Sequence, residues 1–139
     1  MVPDPDRALV IGVIAALTGA PAVAALVGAA VFDEPPDGAP SPCILVGASE
    51  TTPTGGLPPA GAAEAVAMAL TLTILSRFGG AEEARAITAA ARGALHDAAL
   101  ALDGWRLVNL RLTSAEVRRV ADGRLVTGTL RLRAVVEAL

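Results

Sequence analysis

Three long stretches in the second half of the chain alternate between apolar positions and small or polar positions. Glu64–Ser76 has its bulky side chains at every second residue, the spacing of a strand with one buried face. Trp105–Val120 begins with the same alternation, which then drifts, so we expect a bulge or a sharp twist near Thr113–Glu116. Arg124–Glu137 alternates again after Asp122-Gly123, a pair typical of tight hairpin turns. The pattern predicts three long strands, of which the last two form a β-hairpin.

A period near 3.6 residues predicts the helices. Ala81–Ala98 carries an apolar stripe with its charged residues on the other faces, and it should form the main helix. Near the N-terminus, Asp4 can cap a helix at about Pro5–Thr18, and a second helix should follow at about Pro21–Val27. The first of these is apolar nearly all round, so we expect it to be covered on more than one side, in part by a neighbouring subunit.

The uncharged run Ala8–Phe32 is long enough to cross a bilayer. We expect no membrane span, because Gly19-Ala20-Pro21 divides the run into two pieces that are each too short. The segment before the run is also more acidic than basic, opposite to the start of a signal peptide.

The remaining stretches predict two short strands and a loop. Ala29–Asp33 and Pro42–Glu50 are strand candidates, separated by a cluster of turn residues. Thr51–Ala63 is so rich in proline and glycine that we expect a mobile loop. The prediction is a single α+β domain over residues 1–139: an antiparallel sheet of about four or five strands, packed on one face against two or three helices.

Charge is unevenly distributed. Residues 1–60 contain six acidic residues and one arginine, whereas residues 61–139 contain eight acidic residues and ten arginines. No basic run with interleaved aromatic residues indicates nucleic-acid binding. Opposite net charges on the two parts favour head-to-tail contact between identical copies.

The sequence offers little catalytic chemistry. It has no nucleophile elbow and no phosphate-binding loop, and its single histidine and single cysteine cannot supply a metal site, so we expect no cofactor and no metal. The distant alternative is a small hydrolase that uses His96 with Ser49 or Cys43. We interpret His96 instead as completing the C-terminus of the main helix, and Cys43 as a small buried hydrophobe.

The order of several segments resembles a family of small phage-type tail-completion proteins, found in tailed phages, prophages and gene transfer agents. The segments that carry this resemblance are Val31–Pro40, Leu70–Gly80, Ala94–Asp97, Leu107–Arg111 and Val117–Gly123. The resemblance covers nearly the whole chain.

This resemblance implies a tail terminator rather than an enzyme. In such a role, six copies form a ring at the head-proximal end of the tail tube, stop tube polymerisation and join the tail to the head-side connector or stopper protein. DNA passes through the middle without specific binding. The implied location is the virion or virus-like particle at the head-tail junction, assembled in the bacterial cytoplasm. Another neck component, such as a stopper or a tube-like subunit, is the alternative.

A ring requires one patch on each copy to fit a different patch on the next copy. The residues that we expect at the contacts with subunits or partners are Asp33, Glu34, Asp37, Trp105, Arg118, Arg119, Arg131 and Arg133. Apolar anchors are expected among Leu9, Val13, Phe32 and Trp105. The mobile loop should bind a partner through Thr51, Thr52, Thr54 and Leu57. The channel wall should be acidic or neutral, and Glu50 is the candidate to face it.

Overall fold

The chain folds into a curled sheet with three helices. The computed structural model describes residues 4–38, 40–53, 65–77, 80–120 and 125–139. The elements are α1 (Pro5–Thr18), α2 (Pro21–Val27), β1 (Val31–Phe32), β2 (Cys43–Pro53), β3 (Ala65–Ser76), α3 (Gly80–Leu95), β4 (Ala101–Leu102), β5 (Trp105–Val120) and β6 (Leu125–Ala138). The α+β class is confirmed. The sheet has six described strands rather than four or five, because the two-residue strands β1 and β4 add to its edges.

The strand order is β1-β2-β3-β6-β5-β4. Strand β1 runs parallel to β2, whereas the other neighbouring strands are antiparallel. The predicted hairpin is present as β5 and β6, which pair along nearly their whole length. Strand β6 lies between β3 and β5, so β3 and β5 are not neighbours in the sheet.

The helices cover one face of the sheet. Alternate positions of β3 and β6 are buried, and they pack with the buried stripe of α3 and with the inner sides of α1 and α2. The inward positions of β6 are Val126, Leu130, Leu132, Ala134 and Val136, each at most 2% exposed. The other set of positions faces away from the helices, and we call this side the uncovered face.

The two N-terminal helices have the predicted bounds. The side chain of Asp4 accepts hydrogen bonds from the backbone N–H groups of Asp6 and Arg7, which caps α1. Gly28 ends α2 in the left-handed region at φ 62°, where glycine carries no steric cost. Within the described residues, no single helix is long and apolar enough to cross a membrane. Helices α1 and α2 pass that test as a pair, by length and composition only, with a bend of 81° between them.

The predicted irregularity in β5 is confirmed, and β5 has a second register shift. The register between β5 and β6 shifts between Leu112 and Ser114, inside the predicted stretch, and again between Leu107 and Asn109. The second shift leaves Val108 47% exposed. The predicted turn at Asp122-Gly123 lies outside the described residues.

Part of the predicted loop is strand. Thr51, Thr52 and Pro53 continue β2 and pair with Met68, Ala67 and Val66 of β3. The expectation of a mobile loop is therefore wrong for these three residues. The rest of the stretch, with Thr54 and Leu57, lies outside the described residues.

Candidate assembly interface

One lateral edge of the sheet is formed by β5. Strand β4 pairs only with Trp105 and Arg106, and the chain after α3 covers the next part of this edge. There the Asp97 N–H donates to the Leu110 carbonyl at 2.8 Å, and the Leu112 N–H donates to Nδ1 of His96 at 3.1 Å. From Thr113 to Val120, no strand among the described residues pairs with the outer side of β5. We call this stretch the β5 open edge. Its charged side chains, Glu116, Arg118 and Arg119, are exposed.

The opposite edge of the sheet is formed by β2. Strand β1 pairs only with Ile44 and Leu45. From Val46 to Pro53, no strand in the described part of the chain pairs with the outer side of β2, and we call this stretch the β2 open edge. It carries one charged residue, Glu50, which is exposed.

Five of the predicted contact residues lie near the two edges of the sheet. Asp33 and Glu34 follow β1 directly, and Asp37 lies in the next turn; all three are exposed. Arg118 and Arg119 lie on the far side of the sheet, on the β5 open edge. The structure thus separates these acidic and basic residues within one copy, as a head-to-tail contact requires.

Arg131 and Arg133 occupy a different place. Both project from β6 on the uncovered face, one strand inside the β5 edge. Glu50, Arg131 and Arg133 line one depression on this face. The strand pairing brings them together, because Glu50 lies opposite Ala69 on β3, and Ala69 lies opposite Arg133.

The uncovered face mixes positive, negative and polar groups. Arg106 forms an ion pair with Glu137, and Nε of Arg118 lies 2.8 Å from Oε1 of Glu116. Arg131 donates to the hydroxyl of Ser114 at 3.4 Å. Arg111 lies directly opposite Arg133, and its Nε is 3.7 Å from Oδ1 of Asp97. Acids and hydroxyls therefore lie among the arginines of the described part of this face.

Three predicted apolar anchors are corrected by their burial. Leu9 and Val13 are fully buried, and Trp105 is 4% exposed, all within this chain's own core. They stabilise the fold, and their side chains are not available to a neighbouring copy. Phe32 is partly buried against the same core.

His96 ties α3 to β5. Its Nδ1 accepts from the Leu112 N–H, and its Nε2 lies 3.4 Å from Oδ2 of Asp97. Because Nδ1 accepts a hydrogen bond from a backbone amide, the neutral ring carries its own proton on Nε2, toward the carboxylate. Both nitrogens thus have partners within the fold, in agreement with a structural role at the helix end.

The hydrolase alternative lacks its geometry. Ser49 lies on β2, while His96 lies against β5, with β3 and β6 between them; three strand spacings are roughly 14 Å. Cys43 is fully buried, and this burial raises the pKa of its thiol, only partly offset by the Arg77 guanidinium. A thiol held in its protonated form is a poor nucleophile.

No group of three or more His, Cys, Asp or Glu side chains is arranged to hold a metal ion in the portion of the chain that the structure describes. Asp33, Glu34 and Asp37, although close in sequence, form no such group.

Sequence reasoning missed a groove between α1 and the β2 open edge. Asp6, Ile11, Asp33 and Ser49 are among its lining residues. Ile11 is 54% exposed, and Oδ1 of Asp6 is buried without a hydrogen-bond partner. The available signal was the apolar character of α1 on nearly all sides, since only one side of a helix can face the sheet of its own chain.

Comparison with known proteins identifies the family. The sequence profile of the family described as tail completion protein gp17 matches residues 12–137. Among curated proteins, none has a sequence that matches this chain. Among solved structures, a chain from one described as "Virion of native gene transfer agent (GTA) particle" superposes with a TM-score of 0.83 at 29% sequence identity. The match covers 96% of this chain and 97% of the other. The chain therefore belongs to the tail completion protein gp17 family, and it is a structural protein of a phage-type tail, located in the virion.

Proposed function

We propose that this protein is a tail terminator, which forms a homo-hexameric ring on the head-proximal end of the tail tube. The observation that carries this proposal is the end-to-end similarity to a chain of a gene transfer agent virion, together with membership of a tail completion family. The ring ends tube polymerisation and presents a surface to the head-side connector or stopper protein. The particle is a phage or a gene transfer agent, and assembly takes place in the bacterial cytoplasm.

The protein acts in this proposal by assembly and not by catalysis. Its only histidine is engaged at both ring nitrogens, and its only cysteine is buried. The two open edges of the sheet, by contrast, offer backbone donors and acceptors that can pair with another chain.

Within the ring, Arg118 and Arg119 face the side of the neighbouring copy that carries Asp33, Glu34 and Asp37. All five side chains are exposed, so attraction between these charges contributes about 0–1 kcal/mol per pair and mainly sets partner choice. Thr51 and Thr52 belong to the same β2 edge rather than to a separate binding loop.

Glu50 is retained as a channel-facing residue, but its surroundings change the expected wall. Since Arg131 and Arg133 line the same depression, a channel that meets Glu50 also meets these two arginines. We therefore propose a channel wall of mixed charge in place of an acidic one. Arg131 and Arg133 belong to this wall rather than to the contact between subunits. Phosphate binding favours continuous basic surfaces, so DNA passes a mixed wall without being held.

Deletion of the gene in the particle-producing cell tests this function. We expect filled heads and tails that are not joined, with tails of irregular length, in electron micrographs, and full restoration by the wild-type gene. Joined particles with tails of normal length in the deletion strain would contradict the proposal.

A further inference from the structure

We propose that neighbouring copies join by pairing their sheets: the β5 open edge of one copy pairs antiparallel with the β2 open edge of the next. The partner is a second copy of this chain. The inference rests on the proposed ring and identifies the surface that builds it.

Strand direction favours this contact. Strands β2, β3, β6 and β5 alternate in direction across the sheet. Rotation about an axis that runs along the strands leaves every strand direction unchanged. The β5 strand of one copy therefore meets the β2 strand of the next in the antiparallel sense, and every copy can make the same contact until the ring closes.

The two open edges also match in length. Thr113–Val120 and Val46–Pro53 are stretches of equal length that no described strand covers on the outer side. Within one copy, Val46 is level with Leu72, Leu130 and Ala115 in successive strands. Pairing one open edge with the other therefore requires neighbouring copies to be staggered along the strands, which is the stagger that a closed, tilted sheet has.

Charge selects the register. Arg118 and Glu50 both project from the uncovered face, because they lie opposite Thr127 and Ala69. Directly opposed residues share a face, so Arg118 can lie opposite Glu50 of the next copy. Pairing the two open edges over their full length would place Glu116 opposite Glu50, and opposed like charges are destabilising. The register with Arg118 opposite Glu50 is two residues away, and it pairs Ala115–Val120 with Ala48–Pro53.

The buried oxygen of Asp6 supports the same register from the other side of the sheet. With Arg118 opposite Glu50, Arg119 lies opposite Ser49, on the side that the helices cover. Ser49 lines the groove that also contains Asp6, whose buried Oδ1 has no hydrogen-bond partner in the described structure. Such groups rarely stay unpaired in native proteins, and a guanidinium is a strong donor to a carboxylate. Arg119 itself has no ion pair among the described residues. Its insertion would satisfy Asp6 and cover Ile11.

The test is cross-linking of paired cysteines with a short bismaleimide. The variant carries Glu50→Cys and Arg118→Cys in the full chain, and it is examined both as purified protein and in particles whose gene carries the two substitutions. Cys43 is fully buried and gives no background in the folded protein. We expect a ladder of covalent oligomers, because a heterologous contact links each copy to two neighbours.

Controls separate the alternatives. Each single variant should stop at the monomer. The pair Glu50→Cys with Arg85→Cys should give no ladder, because Arg85 is exposed on α3, on the side of the sheet opposite to Glu50. Covalent dimers of the single Arg118→Cys variant would show a symmetric β5–β5 contact and overturn the inference. Particles that contain the double variant but give no ladder would also overturn it.

A charge exchange provides a second measurement. Arg118→Glu and Glu50→Arg, each alone, should weaken association of the copies by about fivefold or more per contact, and the two together should restore it. Failure of the combined variant to recover contradicts the edge pairing. It leaves the tail-terminator function standing, since that function is judged separately by the particles of the deletion strain.

Discussion

At the scale of single residues, Gly128 marks the closest approach between α3 and the sheet. A Cβ at this position would lie 2.7 Å from Oγ1 of Thr88 and 3.3 Å from Cβ of Ile74. Thr88 cannot easily move away, because it is buried and its hydroxyl donates to the Ala84 carbonyl at 2.7 Å. We expect Gly128→Ala to lower the free energy of unfolding by about 1–3 kcal/mol.

Gly93 supplies the matched control in a denaturant titration. It is exposed on α3, and a Cβ there meets nothing within 4 Å. Gly93→Ala should raise the free energy of unfolding by up to about 1 kcal/mol, because alanine is the better helix former. Equal stabilities of the two variants would show that α3 does not pack closely on β6.

Cys43 should not react with thiol reagents while the protein is folded. Burial raises the pKa of its thiol above the ordinary value of about 8.5, so folding favours the protonated form. The resulting contribution to stability is fully present below the pKa of the unfolded thiol, and it is lost as the pH rises toward the raised folded value. We expect labelling rates between pH 7 and 10 to follow the unfolded population. Rapid labelling of the native protein at pH 8 would contradict the buried placement.

At the scale of elements, His96 fixes the C-terminus of α3 against the β5 edge. His96→Ala removes the acceptor of the Leu112 N–H, and we expect a loss of about 1 kcal/mol in the free energy of unfolding. His96→Asn should recover most of this loss, because the asparagine carbonyl oxygen can accept in place of Nδ1. Amide exchange at Leu112 provides the direct readout, with faster exchange in the alanine variant. Equal exchange in both variants would place the stabilising contact elsewhere.

The bounds of helices could be predicted where capping residues, proline or glycine mark them in the sequence. Asp4 caps the start of α1, Pro21 begins α2, and Gly28 ends α2 at a positive φ; these effects depend only on neighbouring residues. The end of β2 could not be predicted in this way. Pro53 occupies the last paired position of a strand with an open edge, where a missing N–H costs little.

At the scale of the whole molecule, the candidate interface depends on strand order. The sequence predicted charged groups of opposite sign, and their separation onto the two edges agrees with a head-to-tail contact. It could not predict that β6 would lie between β3 and β5, which moves Arg131 and Arg133 away from the edge and brings them near Glu50. The burial of Trp105 has a similar cause, because its exposure depends on packing between distant elements rather than on its own strand.

Two double charge reversals that change the net charge equally distinguish a contact at the β5 open edge from a contact on the uncovered face. Arg118→Glu with Arg119→Glu alters the β5 open edge and should weaken association of the copies, because two glutamates would then face the acidic side of the neighbour. Arg131→Glu with Arg133→Glu alters the uncovered face and should leave association unchanged. Sedimentation velocity over a concentration series measures both, at low and at physiological salt, since screening reduces the effect of exposed charges. If the Arg131 and Arg133 reversal weakened association as strongly as the other, the copies would have to meet through the uncovered face, and neither the mixed channel wall nor the pairing of open edges could hold.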